Sequence, residues 1–551
     1  MCGIFGIYGK SVTPQKIHEG LKKLQYRGYD SWGYVVGKDH KRFTGKIPEV
    51  FEFNDTSSKF GMGHTRWATH GNPSELKNTH PIQFGGGKWF VVHNGIIQNY
   101  KDFVTEQHTS DTDTEVLVSL ADTFYKEGCY NLKSIVEKIV NIIEGTYAFI
   151  LFSPTYFPDE VIATCKGSPL ILCESEDTLT FTSDQVTLNP ESTYVYAKHG
   201  DIIHVKSDGS YEFVTTTKTH TRNLQEEVSD DYYEHHMLRE ILEQPKCIRN
   251  MLKGRIHGNK IKFGDPKLEF LKSAKTWVLI GCGSSYNACL VVRPFLEKYM
   301  NEKNVHVELA SDFVLRKPFV DTETTAYIVV SQSGETRDCI AACEYITDEC
   351  FGSCFGINNR PGSLLDSKTC AGIHLNIGTE KSVPATKSFT ATLIALMMFS
   401  GTTKIEFSKI PDTLESHIKR VTHESSQFIR VQEPCFILGD SWGLGLAKEF
   451  ALKLQEVAYI KAIYTPGFEM KHGPLALLEN NSSVFYYGPS GSQIPDIIKC
   501  RGANLVHASE HNSFMRMLCD VITMQLVTYY TALETNLPID TPRNLAKSVT
   551  V

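Results

Sequence analysis

WVLIGCGSSYNACLVVRPFLEK (277–298) and CFILGDSWGLGLAKEFALKLQE (435–456) align without a gap at an offset of 158 residues. Each starts as an unbroken apolar run, breaks at glycine beside hydroxyl or acidic residues, and resumes with apolar positions at helical spacing. That order reads as a buried strand, a tight turn and a helix, repeated, so the second half of the chain is expected to hold two related α/β lobes with parallel sheets. Such a turn points backbone amides at the helix N-terminus, where phosphate binds well. Ser284 and Ser285 lie in the first turn, and SQSGET (331–336) follows a further apolar run, TTAYIVV (324–330). A single serine-rich turn is ordinarily a matter of caps and turn residues. Two in one lobe point to a small phosphorylated ligand, with Ser284, Ser285, Ser331, Gln332, Ser333 and Thr336 as its candidate contacts. Nucleotides fit less well: Tyr286 stands where a dinucleotide fingerprint needs its third glycine, and no GxxxxGK occurs.

Upstream, residues 1 to about 215 alternate short β-rich runs such as FVVHNGIIQN (90–99) and TYAFILFS (146–153) with Gly, Asn and Asp breakers, the mark of a sheet-rich α/β domain. We expect that domain at 2–215, a polar linker at 216–233, the two lobes at 234–395 and 396–539, and a tail at 540–551. EHHMLREILEQPKCIRNML (234–252) predicts a helix broken near Pro245.

The composition narrows the field. At 551 residues the chain has room for three or four domains, and 41% hydrophobic with 22% charged residues is ordinary for a globular protein. A net charge of -7 without a basic run disfavours nucleic acid as a partner. Fifteen cysteines scattered without a CxxC pair suit a reducing cytoplasm and predict no structural metal. The N-terminus lacks a signal-like apolar stretch, and the longest apolar run, Leu393 to Phe399, is far shorter than a bilayer span, so neither secretion nor membrane insertion is expected.

Cys2 follows Met1 directly. Removal of the methionine would leave a thiol and a free α-amine on one residue, a nucleophile with its own base, because an α-amine titrates near neutrality. Around it, MCGIFGIYG (1–9), YRGYDSWG (26–33), HTRWATHG (64–71), VVHNGIIQN (91–99) and SDTDTEV (110–116) resemble the type II glutamine amidotransferase domain. The resemblance implies an N-terminal-nucleophile αββα sandwich in which Cys2 attacks the glutamine amide, while Asn94 and Gly95 form the oxyanion hole. It further implies Arg66 and Asp113 on the α-carboxylate and α-ammonium of glutamine, Thr69, His70 and His80 lining the site, and Trp67 as a gate.

The C-terminal motifs GCGSSYN (281–287), SQSGET (331–336), TKSFT (386–390), ALKLQE (451–456), KHGPLAL (471–477) and TPRNLAKSVTV (541–551) resemble the two sugar-isomerase (SIS) domains of the glutamine–fructose-6-phosphate aminotransferase (isomerizing) family. Read as residues alone, Glu449, Lys453 and Glu456 fall at i, i+4 and i+7 on one helix face, and a carboxylate above a phosphate-binding turn can move the proton that interconverts ketose and aldose. The resemblance gives that proton to Glu456, ring opening to His472 from a neighbouring subunit, a Schiff base to Lys547, and a sugar contact to Val383. It implies glutamine and fructose 6-phosphate as substrates, no cofactor, no metal, and a homodimer or higher homo-oligomer. The sequence departs from the family at Trp32, where a small residue is usual, at Pro384 for alanine, at Phe450 for glycine, and in LGDSWG (438–443).

Overall fold

The computed structural model describes residues 2–548 apart from 69, 190–191, 214–219, 223–232, 259, 264, 301–302 and 424–430. Internal contacts divide the chain into residues 1–227 with 546–551, and residues 228–545.

The first unit is built on an eight-stranded and a six-stranded sheet. In one, Gly3–Val12 pairs antiparallel with Ser58–Arg66 and Thr178–Thr182. In the other, Gly145–Ser153 lies between Trp89–Ile97 and Phe157–Lys166. Alternation along these strands turns Ile4, Phe60 and Met62 of the first sheet toward Val92, Ile150 and Ala163 of the second, and they share one core. The outer faces need covering too. Helix Pro14–Leu24, opened by Pro14 and by the Thr13 hydroxyl accepting the Lys16 N–H, closes the first face with Ile17, Leu21 and Leu24. Helices Glu115–Lys126 and Leu132–Ile142 close the second, giving the αββα layering that the resemblance implies. Trp32 is accommodated in this outer layer: its ring is 2% exposed, stacked on Phe43 at 4.4 Å and met edge-on by His18 and Phe51. The expected linker at 216–233 is not connection throughout, because His220–Arg222 pairs with Thr193–Val195 as an edge strand.

In the second unit the repeat appears as two parallel sheets. Thr276–Gly281 lies between Asn304–Leu309 and Thr325–Val330, which pairs onward to Cys354–Asn358 and Ala371–His374. Cys435–Gly439 likewise lies between Ala462–Pro466 and Ser483–Gly488, with Asn504–Glu510 beyond. A strand flanked on both sides by later strands marks a switch point, and the crevice at its carboxyl end is where open α/β sheets bind ligands. Helices Gly283–Tyr299 and Trp442–Lys453, which follow the two repeat strands, pack on each other. Gly445 allows the approach: a Cβ there would stand 2.5 Å from the Val291 nitrogen and 2.8 Å from the Asn287 oxygen. One hydrophobic core runs through both lobes. The boundary expected at 395/396 falls inside helix Lys387–Phe399, every residue of which is buried. The helix break expected near Pro245 lies at Glu243, between His236–Leu242 and Gln244–Leu252. Among the described residues no helix is long and apolar enough to cross a membrane.

Candidate active site

In the first unit Cys2 precedes strand Gly3–Val12, whose pairing with Ser58–Arg66 sets the thiol beside the end of that strand. Cys2 Sγ accepts from the Trp67 N–H at 3.3 Å and lies 3.3 Å from the Trp67 carbonyl. The Cys2 carbonyl accepts from Asn94 Nδ2 and from Arg27 Nε, each at 3.0 Å. Asn94 and Gly95 stand side by side on strand Trp89–Ile97. Gly95 has φ 139°, and a Cβ there would meet the Thr146 oxygen at 2.0 Å, so only glycine fits. Arg66 is 3% and Asp113 4% exposed. Burial lowers the Arg66 pKa against the opposing charges of Cys2, Asp30 and Asp113, and its Nη1 is buried with no hydrogen-bond partner among the described residues. Asp113 accepts the Ile97 N–H at 2.7 Å, and Arg66 Nη2 donates to the His70 carbonyl. The result is a buried cation and a buried anion near the thiol, the charges that a zwitterionic amino acid requires. Tyr29 meets Trp67 edge-on at 5.4 Å. Thr69 lies outside the described residues.

His80 belongs to a buried histidine cluster that the sequence reading did not assemble. The His64 and His80 rings are 4.1 Å apart, the His93 N–H donates to His80 Nδ1, and His64 Nε2 lies 3.0 Å from the His93 carbonyl and 3.1 Å from Asn94 Oδ1. Desolvation pushes His64 down to about 3 and lowers His80 and His93, so all three are neutral at pH 7. Asp30 was also missed, although it stands in the YRGYDSWG motif; its carboxylate accepts the Ala68 N–H at 2.9 Å.

In the second unit Ser284 and Ser285 open helix Gly283–Tyr299, and the loop of Ser331, Gln332, Ser333 and Thr336 leaves the neighbouring strand Thr325–Val330. Ser331 Oγ lies 2.9 Å from Thr336 Oγ1 and accepts the Gly334 N–H at 3.2 Å, while Ser333 Oγ accepts the Glu335 N–H at 3.1 Å. The structure therefore brings the two hydroxyl-rich turns of the first lobe to one sheet edge. The Val383 N–H donates to the Asp540 carbonyl at 3.0 Å, so the missing N–H of Pro384 does not disturb the bonding of Val383 itself.

Glu449, Lys453 and Glu456 do come together. Lys453 Nζ lies 3.6 Å from Glu449 Oε1 and donates to Glu456 Oε2. The regular helix ends at Lys453, and Glu456 sits in the wider π turn Leu454–Ala458. Glu449 and Lys453 are fully enclosed, whereas the Glu456 side chain is 19% exposed. Burial raises the pKa of Glu449; burial opposes the charge on Lys453, but Glu456 and Glu449 outweigh it and raise the Lys453 pKa. Phe450 projects elsewhere, meeting Phe485 edge-on at 4.9 Å. A cavity of about 670 Å³ opens beside Glu456, bounded by Leu452, Tyr459, Ala462, Arg543 and Leu545. His472 is exposed, on the short turn Phe468–His472. Lys547 falls in the residues grouped with the first unit, so it belongs to a different unit from Glu456.

The second lobe's own turn differs from the first. Trp442 is buried, stacked on His511 at 4.5 Å with its Nε1 donating to the His511 carbonyl, and the His511 ring lies 2.8 Å from Asp520. In the loop after Ser483–Gly488, the amides of Gly491 and Ser492 both donate to the Glu510 carboxylate at 3.2 Å.

These features define a two-part enzyme class, a glutamine amidotransferase joined to a sugar-isomerase module. A sequence model of class-II glutamine amidotransferases matches residues 26–147, and one of the SIS domain matches residues 270–400. The glutamine–fructose-6-phosphate aminotransferases (isomerizing) of Clostridium acetobutylicum and Chlorobaculum tepidum are 33% and 32% identical to this chain, each match covering all of both chains. The C-terminal domain of the glucosamine-fructose-6-phosphate aminotransferase of Francisella tularensis superimposes with a TM-score of 0.51 at 26% identity, covering 57% of this chain and all of that domain. The chain belongs to the glutamine–fructose-6-phosphate aminotransferase (isomerizing) family.

Proposed function

We propose that the chain transfers the amide nitrogen of glutamine to fructose 6-phosphate with isomerisation, yielding glucosamine 6-phosphate and glutamate. The observation that carries this reading is the full-length match to relatives of that name, in a chain that keeps both a thiol on the Trp67 N–H, with Arg66 and Asp113 buried in the same unit, and a Glu449–Lys453–Glu456 cluster. In the first unit Cys2 Sγ attacks the glutamine amide carbon, with Asn94 Nδ2 and the Gly95 N–H on the developing oxyanion. Ammonia leaves, and water cleaves the glutamyl thioester to glutamate. The buried charges of Arg66 and Asp113 hold the substrate's α-carboxylate and α-ammonium, with Trp67, Thr69, His70 and His80 around them.

In the second unit Ser284, Ser285, Ser331, Gln332, Ser333 and Thr336 hold the phosphate, with Val383 on the sugar. His472, supplied by the partner in a homodimer, opens the ring. Lys547, from the residues grouped with the first unit, forms an imine with the carbonyl and releases water, ammonia displaces the lysine amine from that carbon, and Glu456 carries the proton between C1 and C2. Fifteen cysteines, among them the nucleophile, suit a reducing cytoplasm. Incubation with fructose 6-phosphate and glutamine labelled with heavy nitrogen at the amide is expected to give labelled glucosamine 6-phosphate, lost in the Lys547→Ala variant. Labelled ammonia without amino sugar would reduce the chain to a glutaminase, and no turnover would make it a sugar-phosphate-binding relative without activity.

A further inference from the structure

Asn287 has no part in the chemistry above, yet it joins the two lobes. It is 2% exposed on helix Gly283–Tyr299, within a turn of Ser284, and its Nδ2 donates to Glu449 Oε2 on the facing helix at 2.8 Å. Its Oδ1 is buried with no hydrogen-bond partner among the described residues. A half-satisfied amide in a tight helix crossing is a poor packing choice, since an apolar side chain of the same size would leave no polar atom stranded. The bond to Glu449 is what the amide gains there. From that carboxylate the line continues through Lys453 to Glu456, so the helix carrying the phosphate turn is linked to the group that moves the sugar proton.

We propose that Asn287 is a positioning residue for isomerisation: by fixing the Glu449 carboxylate it keeps Lys453 shared between Glu449 and Glu456, and so leaves Glu456 able to accept the proton. The role rests on the transfer reading given above. Its physical basis lies in the enclosure of Glu449. Burial and the Glu456 charge favour the protonated form, and Lys453, the Asn287 amide and the Ser284 hydroxyl act against it, the amide more than the hydroxyl. The charged groups facing Glu449 are Lys453 and Glu456, and Glu380 acts on Lys453 from the loop ahead of helix Lys387–Phe399. Without the amide donor Glu449 holds a proton more readily against Lys453 and Ser284, more of the Lys453 ammonium falls on Glu456, and Glu456 becomes less ready to accept a proton.

The test is kcat and KM for fructose 6-phosphate across pH in the full-length wild type, Asn287→Leu and Asn287→Gln. Asn287→Leu is expected to lower kcat about tenfold with KM within about twofold, and to displace the acid limb of the kcat profile to lower pH. Asn287→Gln, which keeps the donor, is expected to recover most of the rate and the original limb. Should the leucine variant fail to fold, Asn287→Ala, which also removes the donor without adding a charge, must show the displaced limb. An undisplaced limb in a folded variant, or equal losses in the leucine and glutamine variants, overturns the role while leaving the transfer reading intact. A wild type that forms no amino sugar overturns both.

Discussion

Cys2 is held by the Trp67 N–H on its thiol and by the Asn94 side-chain amide on its carbonyl, and a change of sulfur to oxygen preserves that geometry while removing the reactivity. Cys2→Ser is therefore expected to lower glutamate release by about a thousandfold, whereas amino-sugar formation from added ammonium salt at alkaline pH persists, because the acceptor groups lie on other residues. The neutral histidines make a second prediction. His64, His80 and His93 bind protons more weakly folded than unfolded, so the unfolded chain takes up more protons once pH drops below the ordinary histidine value of about 6.5, and stability falls from there, for His64 down to about 3. Each contributes a slope of up to about 1.4 kcal/mol per pH unit, to be read as a steep loss of urea resistance between pH 7 and 5, relieved in His64→Gln. Cys2, Arg66, Asn94 and Asp113 could be singled out as candidates because each is embedded in a short word of sequence. The histidine stack and the Asn287–Glu449 bond were hidden, since the latter joins residues 162 positions apart and only folding brings them together.

At the scale of elements, the gapless repeat made two strand–turn–helix units readable, and the i, i+4, i+7 spacing placed Glu449, Lys453 and Glu456 on one face. Spacing could not disclose the π turn at Leu454–Ala458, because a widened turn depends on what the helix end packs against. Nor could it disclose the closeness of the two repeat helices at Gly445. Gly445→Ala is expected to force them apart and cost about 1–3 kcal/mol of second-unit stability, measurable by urea unfolding. Trp32 shows how a departure from the family is absorbed: the aromatic ring fills a pocket made by His18, Phe43 and Phe51. Trp32→Ser, which restores a small residue without its usual neighbours, is expected to cost about 3–5 kcal/mol in the first unit.

For the whole molecule, the domain order was legible from composition and motifs, but the lobes are less separable than a boundary at 395/396 suggests, since one helix and one core serve both. If His472 acts on the partner's sugar, inactive His472→Ala and Glu456→Gln chains, mixed by joint refolding, will regain about a quarter of wild-type transfer, because half the dimers are mixed and each has one intact site. No recovery would mean that each chain supplies its own histidine. Coupling predicts in addition that fructose 6-phosphate accelerates glutamate release, and equal rates with and without the sugar would separate the two activities.

The second lobe repeats the backbone of the first, but a carboxylate already rests on the amides of its loop, and an indole closes the turn beside it. If the first lobe is the receptor proposed above, the second is an imitation of it, in which Glu510 sits as a tethered counter-anion. A calorimetric titration with fructose 6-phosphate should accordingly saturate at a single equivalent per polypeptide, with the twin lobe retained as masonry for its sibling.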